Sequence, residues 1–115
     1  MHIINSMMVQ ELMKLTEELS EEFRELCRSL GVEVSLDFHS LGLEESVVEK
    51  PKGKVYRYLQ LKAVFAPKYT KTRSRTLKTY RLDEAPVEEL KRLINLYRAI
   101  KHAGHLLNAL QALDR

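Results

Sequence analysis

Residues 55–66 read Val-Tyr-Arg-Tyr-Leu-Gln-Leu-Lys-Ala-Val-Phe-Ala, and the alternation in this stretch decides the fold. One set of alternate positions holds Val55, Leu59, Leu61, Ala63 and Phe65, interrupted only by Arg57. The other holds Tyr56, Tyr58, Gln60, Lys62 and Val64. A period of two, rich in β-branched and aromatic residues, predicts a strand over 54–66 with one buried and one wet face. Pro67 has no N–H to give a ladder, so it ends the strand.

That strand belongs to a longer basic unit. Between Lys50 and Leu82 lie eleven of the nineteen Lys and Arg residues and none of the sixteen carboxylates. The formal net charge of +3 therefore conceals a basic middle between acidic flanks, and it is separation of sign that creates a local field. Residues 75–82 read as a partner strand. The intervening 66–74 lacks an Asn-Gly or Asp-Gly turn, so it reads as a long basic hairpin tip.

On the N-terminal side, Val32, Val34, Leu36 and Phe38 alternate with Glu33, Ser35 and Asp37, which predicts a first strand over 32–38. Ser40 to Gly53 contains Gly42, Pro51 and Gly53 and reads as a connection, with room for an edge strand at Ser46–Glu49. Before it, Met8, Leu12, Leu15, Leu19, Phe23, Leu26 and Leu30 step by three or four, drawing the apolar stripe of a helix over 7–30. Ser6 fits its N-cap, and Gly31 the glycine that closes it.

After the basic unit, Pro86 suits the first turn of a helix over 86–113, and Glu84, Glu88 and Glu89 lie where the positive helix end favours carboxylates. Leu93, Leu96, Ile100, Ala103, Leu107 and Leu110 form a heptad seam, beside a second stripe of Leu90, Ile94, Tyr97 and Gly104. One stripe can cover a sheet; the other needs the first helix or a second subunit, and the seam predicts a homodimer. The expected fold is one α+β domain of 115 residues in α-β-β-β-α order. In it a three-stranded antiparallel sheet carries two helices on one face. That order is similar in outline to the double-stranded-RNA-binding domain, whose second helix begins with a phosphate-gripping Lys cluster. Here the matching position holds Asp83, Glu84, Glu88 and Glu89. The resemblance implies an element order and none of that domain's binding residues.

The basic hairpin is the leading candidate for chemistry. Lys68, Lys71, Arg73, Arg75 and Lys78 are interleaved with Thr70, Thr72, Ser74 and Thr76, the mixture of cations and short hydroxyl donors that contacts phosphates. Tyr56, Tyr58 and Tyr80 beside Arg57, Lys62 and Lys78 add the aromatic and cationic pairing on which bases stack. The bland reading of the same residues is a solvated loop, an edge strand charged against association, and tyrosine as a good strand former. A carboxylate-free run this long exceeds what edge protection needs, so nucleic acid is the expected partner, DNA ahead of RNA. An acidic protein docking on the same hairpin is the alternative.

No catalytic motif, phosphate loop or metal-ligand spacing is present, so the reading is non-enzymatic, with no cofactor and no metal. His102 and His105 are three apart on a helix, but a zinc site needs three or four ligands. The lone Cys27 beside the apolar stripe reads as a small buried hydrophobe and gives no sign of an oxidising compartment. No apolar run reaches membrane-spanning length, so a soluble cytoplasmic protein is expected.

Overall fold

The computed structural model describes residues 3–65 and 73–113. The order of elements is α1 (Ile3–Leu30), β1 (Ser40–Lys50), β2 (Lys54–Val64), β3 (Ser74–Arg81), a short 3-10 turn at Leu82–Glu84, and α2 (Val87–Ala112). The strands form one antiparallel sheet in the order β1-β2-β3, so the fold is α+β with the expected layering.

Helix α1 starts at Ile3, which places Ser6 inside it rather than at its N-cap. Its end is the expected one. Gly31 adopts φ +68°, a left-handed conformation that costs a glycine little, while Gly31 N–H bonds to Arg28 O at 3.2 Å and Val32 N–H to Cys27 O at 3.0 Å. The Lys78 ammonium adds a bond to Leu30 O at 2.8 Å, a cation on the free carbonyls of a helix end.

The first strand is not where alternation places it. Residues 32–35 run without a ladder, and β1 is the stretch read as a connection. The carbonyls of Ser35, Leu36 and Phe38 are taken by side chains of α2 instead. Tyr97 Oη donates to Phe38 O at 2.5 Å and lies 3.2 Å from Ser35 O, and Lys101 Nζ donates to Leu36 O. Alternation here records neither pairing nor a continuous buried face: Val32 and Phe38 are buried and Leu36 is exposed. Pairing begins where His39 N–H meets Val64 O, and β1 then runs to a turn at residues 51–53, where Lys52 (φ +79°) and Gly53 (φ +78°) reverse the chain.

The core lies between one sheet face and the helices. Leu41 sits opposite Ala63 and Leu43 opposite Leu61, and Leu59, Leu61 and Ala63 of β2 pack beneath Phe23, Leu90, Leu93, Tyr97 and Ile100. Leu61, Leu90 and Leu93 are completely buried. Helices α1 and α2 meet through the Phe23 and Tyr97 rings, 5.7 Å apart, and through Arg92 on Glu22 at 3.0 Å. The helical pair outruns the sheet, so that Met7, Met8, Leu15 and Leu106 are about half exposed. The molecule is a slab of 71 × 35 × 16 Å with a radius of gyration of 18.4 Å, against about 13 Å for a compact chain of this length. Among the described residues no helix is long and apolar enough to cross a membrane.

Candidate nucleic-acid interface

Strands β2 and β3 come from the carboxylate-free segment, and their register decides what each face carries. Directly opposed residues share a face. Opposite Tyr58 lie Ser46 of β1 and Arg81 of β3; opposite Gln60 lie Glu44 and Thr79; opposite Lys62 lie Gly42 and Thr76. These rows form the face away from the helices. Tyr56, Tyr58, Gln60, Lys62 and Val64 are each half-buried there, shielded by neighbouring strands and not by a covering layer. Tyr56 and Tyr58 thus sit on the wet face predicted for them, with flat rings beside cations. Lys62 carries part of its charge into an ion pair with Glu44 at 3.3 Å, an exposed contact of small energetic worth.

The other predicted residues scatter. Lys68 and Lys71, with most of the 66–74 tip, lie outside the described residues. Arg73 and Arg75 are exposed where β3 begins, with Arg75 opposite Ala63 and so on the helix side. Arg57, opposite Val47, is on that side too, but near the exposed end of the β1–β2 hairpin. Lys78 and Tyr80 do not join Tyr56 and Tyr58. Both face the helices, Lys78 with its ammonium on Leu30 O and 5.4 Å from the Tyr80 ring centre. The Tyr80 hydroxyl is buried with no partner among the described residues, and burial pushes its pKa up. Arg81, opposite Tyr58 on the open face, is the cation that strict alternation along the basic run passes over.

The seam proposed for a dimer is spent within one chain. Leu93, Leu96, Ile100, Ala103 and Leu110 are buried in the protomer, and Leu107 is half-buried. Both helix stripes find their partners in α1 and the sheet, so neither waits for a second subunit. Exposed apolar residues gather in a groove of about 770 Å³ between the first half of α1 and the end of α2, which Leu110 of the seam also lines.

Titratable groups in the core are held neutral. Burial pushes the Cys27 thiol up, away from the thiolate that nucleophilic chemistry needs. Tyr97 is pushed up to about 12, first by burial and then by the Asp37 carboxylate. Among the described residues no three metal-ligating side chains converge. No protein family, no curated protein and no solved structure matches the chain.

Proposed function

We propose that this chain is a non-enzymatic, cytoplasmic nucleic-acid-binding protein that uses the β2–β3 half of its sheet, with DNA as the first ligand to try. One observation carries the reading. The segment without a single carboxylate contributes two adjacent strands whose outer face, among the described residues, has no helix over it and combines Tyr56 and Tyr58 with Lys62 and Arg81. Arg73 is exposed at the start of β3, and Arg75 is exposed on the helix side of the same strand, so each adds field from outside the open face. Cations of this kind neutralise phosphates without regard to sequence, while flat rings in an open sheet accept unpaired bases. The test is a titration of fluorescent duplex DNA, single-stranded DNA and RNA of one length at about 50 and 200 mM salt, a range over which several phosphate contacts cost orders of magnitude in affinity. Absence of binding at the lower salt overturns the proposal and favours an acidic protein as the partner of the same surface.

The helical overhang favours a second, compatible reading, a homodimer. Met7, Met8, Leu15 and Leu106 line one groove and are 63%, 48%, 48% and 53% exposed, a contiguous apolar patch of the kind that takes part in interfaces. A second copy is the fitting occupant. The groove rim carries Glu11, Lys14 and Glu18, so a two-fold arrangement sets Lys14 of each chain against a carboxylate of the other. The dimer joins two sheets into one binding unit and raises avidity.

A further inference from the structure

A second cleft lies on the opposite side of the sheet from Tyr56, Tyr58 and Lys62, between α2 and the segment leading into β1, with a volume of about 500 Å³. Its rim gathers side chains far apart in sequence. His39 comes from the entry to β1, and Arg98, Lys101, His102 and His105 come from two turns of α2. Asp37 is the one carboxylate in the lining. Among the described residues neither Arg98 nor any of the three histidines has an ion-pair partner, since the two ion pairs are Lys62 with Glu44 and Arg92 with Glu22. Lys101 gives one of its three N–H donors to Leu36 O and lies 5.5 Å from the Tyr97 ring centre, so it is anchored beside the cleft and adds to its field. The floor is apolar, formed by Phe38, Leu41 and Ile94.

We propose that this cleft binds a phosphomonoester carried on an apolar or aromatic body, of the size of a nucleoside monophosphate. The volume falls within the range of small-molecule sites, which pair an apolar lining with a few convergent polar groups. A guanidinium offers a planar fork of donors, and each imidazole offers an N–H whether neutral or charged. Four such side chains around one cleft suit the larger charge and the three terminal oxygens of a phosphate, which accept more donors than a carboxylate's two. The apolar floor is what distinguishes an organic phosphate from the inorganic ion. The walls are preset: Tyr97 Oη fixes the 35–38 segment at Phe38 O, 2.5 Å away, so the cleft forms without a ligand. This site shares no residue with the open-face proposal and stands if that proposal fails.

The experiment is calorimetric titration of the full chain with adenosine 5′-monophosphate, adenosine and inorganic phosphate. The monophosphate should bind at least roughly tenfold more tightly than either component, the worth of one charge-assisted hydrogen bond or more. Arg98→Ala should cost about tenfold by the same measure. His102→Ala/His105→Ala should weaken binding further, and all three positions are exposed, so the fold tolerates the changes. Arg24→Ala removes an equal charge from a separate groove and should change nothing. A 5′-phosphorylated oligonucleotide that competes with the monophosphate identifies a strand end as a natural source; one that does not compete identifies a free nucleotide. Equal binding of adenosine and its monophosphate overturns the proposal. So does an Arg24→Ala loss equal to that of Arg98→Ala, and inorganic phosphate binding as tightly as the monophosphate removes the apolar floor from the argument.

Discussion

Replacing Tyr97 by Phe removes one oxygen from a side chain that is 1% exposed, and its cost should depend on pH in a way that no surface change imitates. At neutral pH the variant loses the bond to Phe38 O and leaves that buried carbonyl without its donor, at a cost of about 1.5–2 kcal/mol. With a urea slope of about 1.5 kcal/mol/M for a domain of this size, the midpoint should fall by about 1 M. The sign of the pH effect follows from the raised pKa. The folded state holds Tyr97 protonated up to about 12, against an ordinary value of 10.0. Its contribution is therefore complete below pH 10 and drains away as pH rises toward 12. By about pH 11.5 the wild type has lost about 2 kcal/mol that the Phe variant never held, and the two curves meet. Urea melts of both proteins at neutral pH, pH 9 and pH 11.5 test this, since every other titrating group is common to the pair. A gap that stays constant to pH 11.5 would refute the buried phenol, and a gap under about 0.5 kcal/mol at pH 7 would refute the hydrogen bond.

Other consequences can be measured separately. Lys78→Met deletes the ammonium on Leu30 O and should cost about 1–2 kcal/mol in thermal or urea melts, whereas a solvated lysine costs nothing. Tyr58→Ala should cost about 1–3 kcal/mol on single strands if its ring stacks, and leave duplex binding nearly unchanged. Arg73→Ala/Arg81→Ala should lower the salt slope of duplex binding by roughly two, equally for all sequences; an unchanged slope removes both from the interface. In sedimentation, micromolar wild type should run as a dimer and Leu15→Glu/Leu106→Glu as the 13.4 kDa monomer; a monomeric wild type ends the homodimer reading.

The long helices and strand β2 were legible because their signals are local and repeat. The stripe from Met8 to Leu30 and the alternation from Val55 to Phe65 each mark one apolar face over many residues, buried at its middle around Phe23 and around Leu59, Leu61 and Ala63. Strand β1 gave no such report. It is an edge strand, mostly exposed beyond Leu43, so Glu44, Glu45, Val47 and Val48 need not alternate in polarity. Residues 32–38 misled for the complementary reason. Val32 and Phe38 turn inward and Leu36 stays exposed, because the carbonyls of this segment bond to Tyr97 and Lys101 and not to a strand. The seam on α2 was read correctly as apolar, but periodicity carries no information on whether the partner is the same chain or another. The cleft of His39, Arg98, His102 and His105 was invisible, because nothing in the sequence ties residue 39 to residue 102.

Lys78 and Tyr80 were misplaced by one irregularity. Counting alternately along β3 from Ser74 puts Thr76, Lys78 and Tyr80 together on the open face with Tyr58 and Lys62. The register shifts between Leu61 and Lys62: Thr76 lies opposite Lys62, and Lys78 lies opposite Leu61, so Leu77 is an extra residue. A bulge reverses the parity of everything beyond it. Leu77 and Lys78 both turn toward the helices, where Leu77 joins the core and Lys78 reaches the end of α1. Tyr80 follows them into the covered layer, and Arg81 takes the open position opposite Tyr58. The bulge thus exchanges a Lys and a Tyr for an Arg on the outer face, and it closes α1 with a cation drawn from the same basic run. A carboxylate-free segment can therefore serve two purposes at once, cationic surface on one side of the bulge and a half-buried helix clamp on the other, and the charge count of the sequence cannot apportion them.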